Sequence, residues 1–547
     1  MGPLAPLLLL LGLASAHAAS PIALLDDDAS LAARLEPAHL KPLVTTARQI
    51  SSRGDAVATA AGALATARFG FDPLSTAGWA RAGFDPVAPV YLSVAAPVLA
   101  ADRAGRAGAP AWWRARAVLP IADPVAAHET IREIFGFLPG DRLFPGDAGA
   151  PRMPGLVAAV VASRVYLLAR ERDGAILVDL VVSPKEGVRA QNAWRVAARR
   201  GNAQAVRFGR ALSEEGLSIW IASEALYALD PRAARGADPG CQAYRWLAEH
   251  GALEALTIRL WLHRDAVRAR LRWTIRPGSD LEDYLRAGSH LGRIPGRAAL
   301  ALAWAIDQPS KLAALPRPTA LDGPSRDVGL YADACGPSAA LTLRVFGWPE
   351  LVGAFFGQLA RVGPRAAALA KAAGPGAFAV RRLVTTPGPA PPSRTPGTPL
   401  TIDALEAAVE IAARDDAPAL VEPLLDTIFG AREAADGGAV DQIWGGGRLR
   451  PYRRARGDVD PVYGVGRGAR SIDWYSRAAA RGATPPQSAL VWLRADAGQL
   501  VAAFRHRSPT LAGWLDRGLL QIGTLEVRAG AEQNEVIVDA KLGLREL

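Results

Sequence analysis

Cysteine and lysine are scarce in this sequence, and each scarcity excludes a class of protein. The only cysteines are Cys241 and Cys335, too few for the dense disulfide framework of a small secreted scaffold or for a four-cysteine zinc site. A pair in an oxidising compartment predicts one disulfide between them, while two unrelated buried thiols remain the alternative. Because lysine is so rare, arginine carries nearly all of the net charge of +10, which favours anionic partners.

Long apolar runs are also missing. The longest run after the N-terminus, Ala298–Ile306, is about half of the roughly 18 residues that a membrane-spanning helix needs. The N-terminal run Leu4–Leu13 is equally short and is followed by Ala16-His17-Ala18, a small-residue cleavage signal. We therefore expect residues 1–19 to be a signal peptide and the mature chain to be exported, to the periplasm or beyond, without a transmembrane anchor.

Motifs for catalysis and cofactor binding are absent from the sequence. It contains no G-x-S-x-G, H-E-x-x-H, C-x-x-C or P-loop, and no two histidines of the mature chain have metal-ligand spacing. The glycine-rich segment 464–469 follows a short strand but lacks a parallel βαβ context, so it predicts a plain strand–turn–helix. We predict a protein that is not an enzyme and has no cofactor and no metal. Carboxylates that meet only in the fold leave a hydrolase open as an alternative.

Hydrophobic residues make up 50% of the 547 positions, enough for the cores of two or more domains. Residues 20–68 predict a helical N-terminal segment. Further on, a strand at Arg116–Ile121 leads through Asp123-Pro124 into a helix at Val125–Phe135, because Asp caps a helix and Pro suits its first turn. Asp173-Gly174 predicts a type I′ hairpin turn between two strands.

These signals predict an α+β fold with antiparallel, curved sheets and helices packed on one face. Ile134-Phe135-Gly136 and Ile428-Phe429-Gly430 end two similar units, which predicts an internal duplication, with repeats at residues 69–280 and 281–547. Chance similarity in an alanine-rich chain is the alternative. A proline-rich loop is expected at 386–399 inside the second repeat.

Two short motifs resemble a known family. Gly70-Phe71-Asp72-Pro73-Leu74 is echoed by Gly83-Phe84-Asp85-Pro86, and both precede the strand–Asp-Pro–helix unit and the arginine-alternating hairpin. This pattern resembles a domain-of-unknown-function family of exported bacterial envelope proteins. The resemblance covers most of residues 69–547 and implies an envelope protein without assigned catalytic residues.

Segment Thr257–Ile275 predicts a hairpin with its turn at Arg264-Asp265 and one apolar face that ends in Trp273 and Ile275. The residues of the opposite face are our candidates for binding a ligand: Arg259, Trp261, Arg268, Arg270 and Arg272. The arginines would provide positive charge. Trp261, which lies across from Arg268, would provide an aromatic ring for a cation–π contact. The alternative is a solvated face, or one that meets acids on a neighbouring strand.

Two further segments are rich in arginine. Residues Arg189–Arg210 include no acid, and residues 441–481 have a basic excess. Within the latter we predict a basic patch formed by Arg448, Arg450, Arg453, Arg454 and Arg456. Solvated loops are the alternative for both segments.

The sequence therefore predicts a non-catalytic exported envelope protein that binds an anionic ligand or a protein partner. The expected partners are anionic lipid, acidic glycan or another envelope protein, and not nucleic acid, which an exported chain rarely meets. The rival hypothesis is a periplasmic carrier that shelters a lipid or other hydrophobe between a sheet and its helices, and the third is the hydrolase.

Overall fold

The structure of the protein is a computed structural model. It describes residues 21–25, 29–40, 70–95, 113–183, 189–198, 206–214, 216–222, 253–263, 266–275, 298–305, 373–387, 400–413, 442–444, 447–456, 459–467, 489–496, 498–500, 522–532 and 535–544, with isolated residues at 42, 63, 66, 67, 277, 474, 477, 478, 481 and 482. The predicted signal peptide and both cysteines, Cys241 and Cys335, lie outside the described residues, so the cleavage site and the disulfide stay predictions.

The chain divides into two compact units. The first contains Met1–Ala228 and Thr257–Leu262, and the second contains Leu229–Leu256 and His263–Leu547. In the part of the chain that the structure describes, both units are mostly antiparallel sheet, which agrees with the predicted antiparallel sheets. The predicted repeat boundary between residues 280 and 281 differs from this division, and the duplication stays a prediction.

The first unit contains a sheet, called sheet 1. Its strands are β1 (Leu31–Leu35), β2 (Val90–Ala95), β3 (Trp113–Pro120), β4 (Asp141–Leu143), β5 (Leu156–Ala162), β6 (Val165–Arg172), β7 (Ala175–Val182) and β8 (Leu217–Ala222). Their antiparallel pairings give the spatial order β8-β1-β2-β3-β7-β6-β5-β4. Strand β9 (Leu253–His263) contributes residues to both units.

The second unit contains sheet 2. Its strands are β10 (Ala266–Ile275), β11 (Leu300–Trp304), β12 (Ala373–Pro387), β13 (Leu400–Ala413), β14 (Gln442–Trp444), β15 (Gly447–Arg456), β16 (Val459–Arg467), β17 (Ala489–Asp496), β18 (Ile522–Glu532) and β19 (Glu535–Leu544). The antiparallel order is β10-β19-β18-β17-β11-β12-β13-β16-β15-β14. The proline-rich segment joins the paired strands β12 and β13, and its residues 388–399 lie outside the described part of the chain.

Four α-helices and one 3-10 helix have defined bounds in the first unit. They are the 3-10 helix Pro21–Leu24 and the α-helices α1 (Thr76–Arg81), α2 (Pro124–Gly136), α3 (Ala190–Ala198) and α4 (Val206–Leu212). The predicted start of α2 is confirmed, because the Asp123 side chain accepts hydrogen bonds from the backbone N–H groups of Val125 and Ala126. Among the described residues, no helix is long and apolar enough to cross a membrane.

The hairpin turn predicted at Asp173-Gly174 is confirmed. Asp173 has φ 51° and Gly174 has φ 75°, the two positive values that a type I′ turn requires. The turn joins β6 and β7 with every residue of the two strands in register.

The two Gly-Phe-Asp-Pro motifs meet in the first unit. Phe71, Trp79 and Phe84 form one aromatic cluster, with ring centroids 5.5 Å apart for Phe71 and Trp79, 5.8 Å for Trp79 and Phe84, and 6.1 Å for Phe71 and Phe84. Gly83 adopts φ +84°, and a Cβ there would lie 2.2 Å from the backbone nitrogen of Ala127, so only glycine lets the first turn of α2 come this close.

Two expectations differ from the structure. Within residues 20–68, predicted to be helical, Leu31–Leu35 is strand β1, because pairing with β2 on one side and β8 on the other outweighs the helix propensity of its alanines and leucines. Helices were also expected on a single face. In the first unit they lie on both faces of sheet 1: α2 packs against Ile176 and Ala169 on one face, and α3 packs against Tyr166 and Leu168 on the other.

Candidate functional site

Arg259 and Trp261, predicted to bind a ligand, contact other residues of the first unit. The Arg259 guanidinium lies 4.4 Å from the centroid of the Trp261 ring, so Arg259 occupies the aromatic platform that we expected for Arg268. Its NH1 atom is 2.5 Å from the Glu214 carboxylate, and the backbone carbonyl of Glu214 accepts a hydrogen bond from Arg34. Arg259 therefore has an acidic partner on a neighbouring segment.

Arg270 and Arg272 meet acids of β19 in the second unit. Arg270 makes a bidentate ion pair with Asp539, at 2.6 Å from Nε to Oδ1 and 3.1 Å from NH2 to Oδ2. Arg272 Nε is 3.2 Å from a carboxylate oxygen of Glu535. These ion pairs agree with the alternative interpretation, in which the arginine face of the hairpin meets acids on a neighbouring strand. A ligand-binding role for the five candidate residues of this face stays a prediction.

Arg268 differs from these two arginines. Its register partner on β19 is Lys541, and its Nε atom is buried without a hydrogen-bond partner. Arg268 is thus opposite a cation where Arg270 is opposite an acid, while Lys541 has Glu526 of β18 as its register partner on the other side.

The predicted basic patch lies along β15. Its arginines pair in register with β14 and β16, for example Arg448 with Ile443 and Arg450 with Gly466. Strand β16 continues through the glycine-rich segment as far as Arg467, where a turn was expected, because it pairs with β13 and β15 along this length.

Sheet 1 has two unlike faces, because side chains alternate between the faces along each strand. The face under α3 and α4, called the buried face, contains an unusual number of buried polar residues: Arg34, Ser93, Arg114, Arg116, Arg170, Asp179 and Ser218. The opposite face, called the apolar face, consists of aliphatic, alanine and tryptophan side chains on β8, β1, β2, β3 and β7. This reverses the usual sheet, in which the polar face meets water.

Arg116 and Asp179 form the centre of the buried face. They are 1% and 0% exposed, and Arg116 Nε donates to Asp179 Oδ1 at 2.6 Å. Arg116 also donates to the carbonyls of Ala197 at 2.8 Å and Leu24 at 3.1 Å. These bonds give the buried Arg116 guanidinium its polar partners, and the second carboxylate oxygen of Asp179, which accepts no hydrogen bond from the described residues, lies 3.6 Å from Arg170 NH2.

Two more arginines bind the same helix end. Arg170 donates to the carbonyl of Ala197 at 3.3 Å, and Arg114 donates to the carbonyl of Val196 at 3.1 Å. The last carbonyls of a helix have no partner within the helix and carry its negative dipole end. The arginines of β3 and β6 therefore fix the C-terminus of α3 on the buried face.

A second polar group lies on the buried face at β1. Arg34 and Glu36 form an ion pair there, and Glu36 also contacts His39. Burial raises the pKa of the nearby Tyr91 hydroxyl, an effect that Arg34 opposes by its charge and a hydrogen bond.

The apolar face is covered by α2 at one end and is more open at the other. At the covered end, Ile131 and Phe135 of α2 pack against Ile176 of β7 and its neighbours. We call the rest of the face the apolar patch: Leu31, Ala33, Leu92, Val94, Trp113, Ala115, Ala117, Leu180, Val182 and Ile219.

None of the four α-helices named above packs on the apolar patch. Leu92 and Trp113 are 39% and 41% exposed, and the other members are half-buried. This surface is apolar, contiguous and partly open, and we take it as the candidate binding surface of the first unit. No group of three or more potential metal ligands occurs among the residues that the structure describes.

Comparison with known proteins gives no assignment. No family model and no curated protein matches the chain. Crystal forms IV, III and I of TP0453 are similar at TM-scores of 0.23, 0.24 and 0.24 and identities of 10, 10 and 11%, covering 47, 50 and 48% of this chain and 81, 88 and 80% of TP0453. These scores are too low to assign a fold or a function, and the resemblance to exported envelope proteins stays a prediction.

The apolar patch has a signal in the sequence that the usual burial rule misreads. Strand β3 reads Trp-Arg-Ala-Arg-Ala-Val, with apolar residues at alternate positions. The usual rule assigns the apolar positions to the core and the arginines to solvent. Here Arg114 and Arg116 are buried, and Trp113 is on the open face.

Proposed function

We propose that the protein is a non-catalytic exported carrier that shelters the acyl chain of a lipid on the apolar patch. One observation carries this proposal: the least covered face of sheet 1 is wholly apolar, while charged residues of the same strands are buried on the other face. The occupant must therefore be uncharged along its length, because the patch has no polar side chain to pair with it.

The dimensions of the patch support a single chain as its occupant. It extends over five neighbouring strands, from β8 to β7, which corresponds to about 19 Å at the usual strand spacing. One acyl layer of a bilayer is about 15 Å thick, half of the hydrocarbon core.

A protein partner is a poorer fit for the patch. Trp113, Ala115 and Ala117 span about 14 Å along β3, so the patch covers roughly 270 Å². A stable protein interface buries about 800 Å² on each partner. The area therefore favours a small molecule over a second copy of the chain.

Binding of a fluorescent fatty acid to the mature protein tests the proposal. Leu92 is directly opposite Ala117, so Leu92→Gln and the double variant Leu92→Gln/Ala117→Gln place amides in the patch. We expect affinity to fall about tenfold for the loss of one buried leucine contact and further for the double variant.

Val87→Gln is the matched control, since Val87 is 75% exposed and lies off the sheet. Wild-type affinity in both patch variants, or no binding by the wild type, overturns the proposal. So does a dimer in light scattering that Leu92→Gln converts to monomer.

The proposed duplication would give the second unit an equivalent face. Half-buried apolar residues are aligned across three strands of sheet 2, with Val267 and Leu525 each opposite Leu542, and Ala269 and Val527 each opposite Ala540. Native mass spectrometry with saturating fatty acid tests this: two bound chains support the duplication, and one argues against it.

A second candidate function is the binding of an anionic ligand at β10. The opposed cations Arg268 and Lys541 favour it, because an anion bound beside them would offset their mutual repulsion. Heparin chromatography of Arg268→Gln, with Arg81→Gln as the charge-matched control, tests this function. We expect Arg268→Gln to elute at lower salt than the control, and equal elution of the two variants excludes it.

A further inference from the structure

We infer that the outer surface of helices α3 and α4 docks the protein on an anionic lipid bilayer. This inference goes beyond the carrier function and does not depend on it, because both helices lie on the buried face, away from the apolar patch.

The two helices turn their apolar residues inward and their arginines outward. Trp194 of α3 packs on Tyr166 with ring centroids 5.8 Å apart, and Phe208 of α4 packs on Trp220 at 5.5 Å. Arg189, which precedes α3, is exposed, as are Arg195 of α3 and Arg210 of α4. The outer surface therefore presents positive charge.

No acid neutralises this surface among the described residues. The sequence has no Asp or Glu from Arg189 to Arg210, and the next acid, Glu214, pairs with Arg259. Helix α2 of the same unit differs, since its exposed residues Glu129, Arg132 and Glu133 carry both signs. The basic excess is thus a local property of the α3–α4 layer.

The chemistry of the layer fits a membrane surface better than a protein. Protein interfaces depend on buried aromatic or aliphatic anchors, and the aromatic residues Trp194 and Phe208 both point into the core. Exposed arginines without such anchors suit a plane of anionic headgroups, where each contributes by charge alone.

Sedimentation of the mature protein with vesicles tests the inference. We expect binding to phosphatidylcholine vesicles that contain phosphatidylglycerol, little binding to pure phosphatidylcholine, and release by high salt. Each arginine near an anionic surface contributes about fivefold in affinity, so Arg195→Gln/Arg210→Gln should weaken binding about 25-fold.

Arg81→Gln/Arg132→Gln is the matched control, because it removes the same charge from exposed positions on α1 and α2. We expect this control to bind within about twofold of the wild type. Equal losses in the two double variants, equal binding to neutral vesicles, or no binding to either kind of vesicle overturns the inference. Circular dichroism of each variant confirms that it is folded.

Discussion

Arg116 on β3 is directly opposite Asp179 on β7, and the two side chains form an ion pair that is almost completely buried. No water reaches either group to compensate the loss of its partner. The pair therefore holds together the centre of sheet 1, and its removal should be costly.

We predict that Asp179→Asn lowers the free energy of unfolding by about 3–5 kcal/mol, because it leaves the Arg116 guanidinium buried without a counter-charge. Asp173→Asn is the control: its ion pair with Arg172 is exposed, and Asn tolerates the positive φ of this turn. Urea unfolding of both variants measures the difference. A loss in Asp179→Asn no larger than in the control would contradict the role of the buried pair.

Gly83→Ala should be far more destabilising than Gly174→Ala. Both glycines have positive φ, but a Cβ at Gly83 meets the backbone of α2, whereas a Cβ at Gly174 meets nothing within 4 Å. We expect a loss of about 1 kcal/mol for Gly174→Ala and about 3 kcal/mol or more for Gly83→Ala. Thermal unfolding compares the two, and similar melting temperatures would show that α2 can move away from Gly83.

Glu526 should contribute a pH-dependent part of the stability of sheet 2. Burial acts to raise the pKa of this carboxyl, but hydrogen bonds from Arg528 and Trp492 and the charge of Arg528 outweigh it, so the pKa lies below its usual value. Such a group stabilises the fold fully above its unfolded-state pKa of about 4.3, and this stabilisation is lost as the pH falls through the lower folded-state value.

Glu526→Gln should therefore be less stable than the wild type at neutral pH, and the difference should shrink below about pH 4. Glu532→Gln, which removes the same charge from an exposed position on the same strand, is the control. Urea midpoints between neutral pH and about pH 3 measure it. A constant difference across this range would mean that Glu526 acts through packing and not through its charge.

Arg268 and Arg270 should respond differently to the same substitution. Arg270→Gln removes a half-exposed bidentate pair and should cost about 0.5–1 kcal/mol. Arg268→Gln removes a cation that faces Lys541, and should leave the free energy of unfolding unchanged or raise it. If Arg268→Gln is the more destabilising of the two in urea unfolding, Arg268 has a structural partner beyond those described.

The features that sequence analysis predicts correctly depend on neighbouring residues. The type I′ turn follows from Asp173-Gly174 alone, and the start of α2 follows from Asp123 and the proline after it. Both signals act through the backbone of the next few residues, so no distant contact can override them easily.

The features that the sequence does not predict depend on distant partners. Arg116 is buried only because Asp179 and the carbonyls of Leu24 and Ala197 surround it in the fold. Leu31–Leu35 is a strand only because β2 and β8 flank it. The apolar patch could not be predicted for the same reason. Which face of a strand is buried depends on the distant segments that pack on the sheet.

The contacts of Arg116 also bear on how the first unit forms. Its partners Leu24, Asp179 and Ala197 lie 92, 63 and 81 residues away along the chain, so several large loops must close before the guanidinium is satisfied. Contacts of this separation make folding slow. A chain emerging from a ribosome therefore cannot complete the contacts of Arg116 until residue 197 has left the exit tunnel.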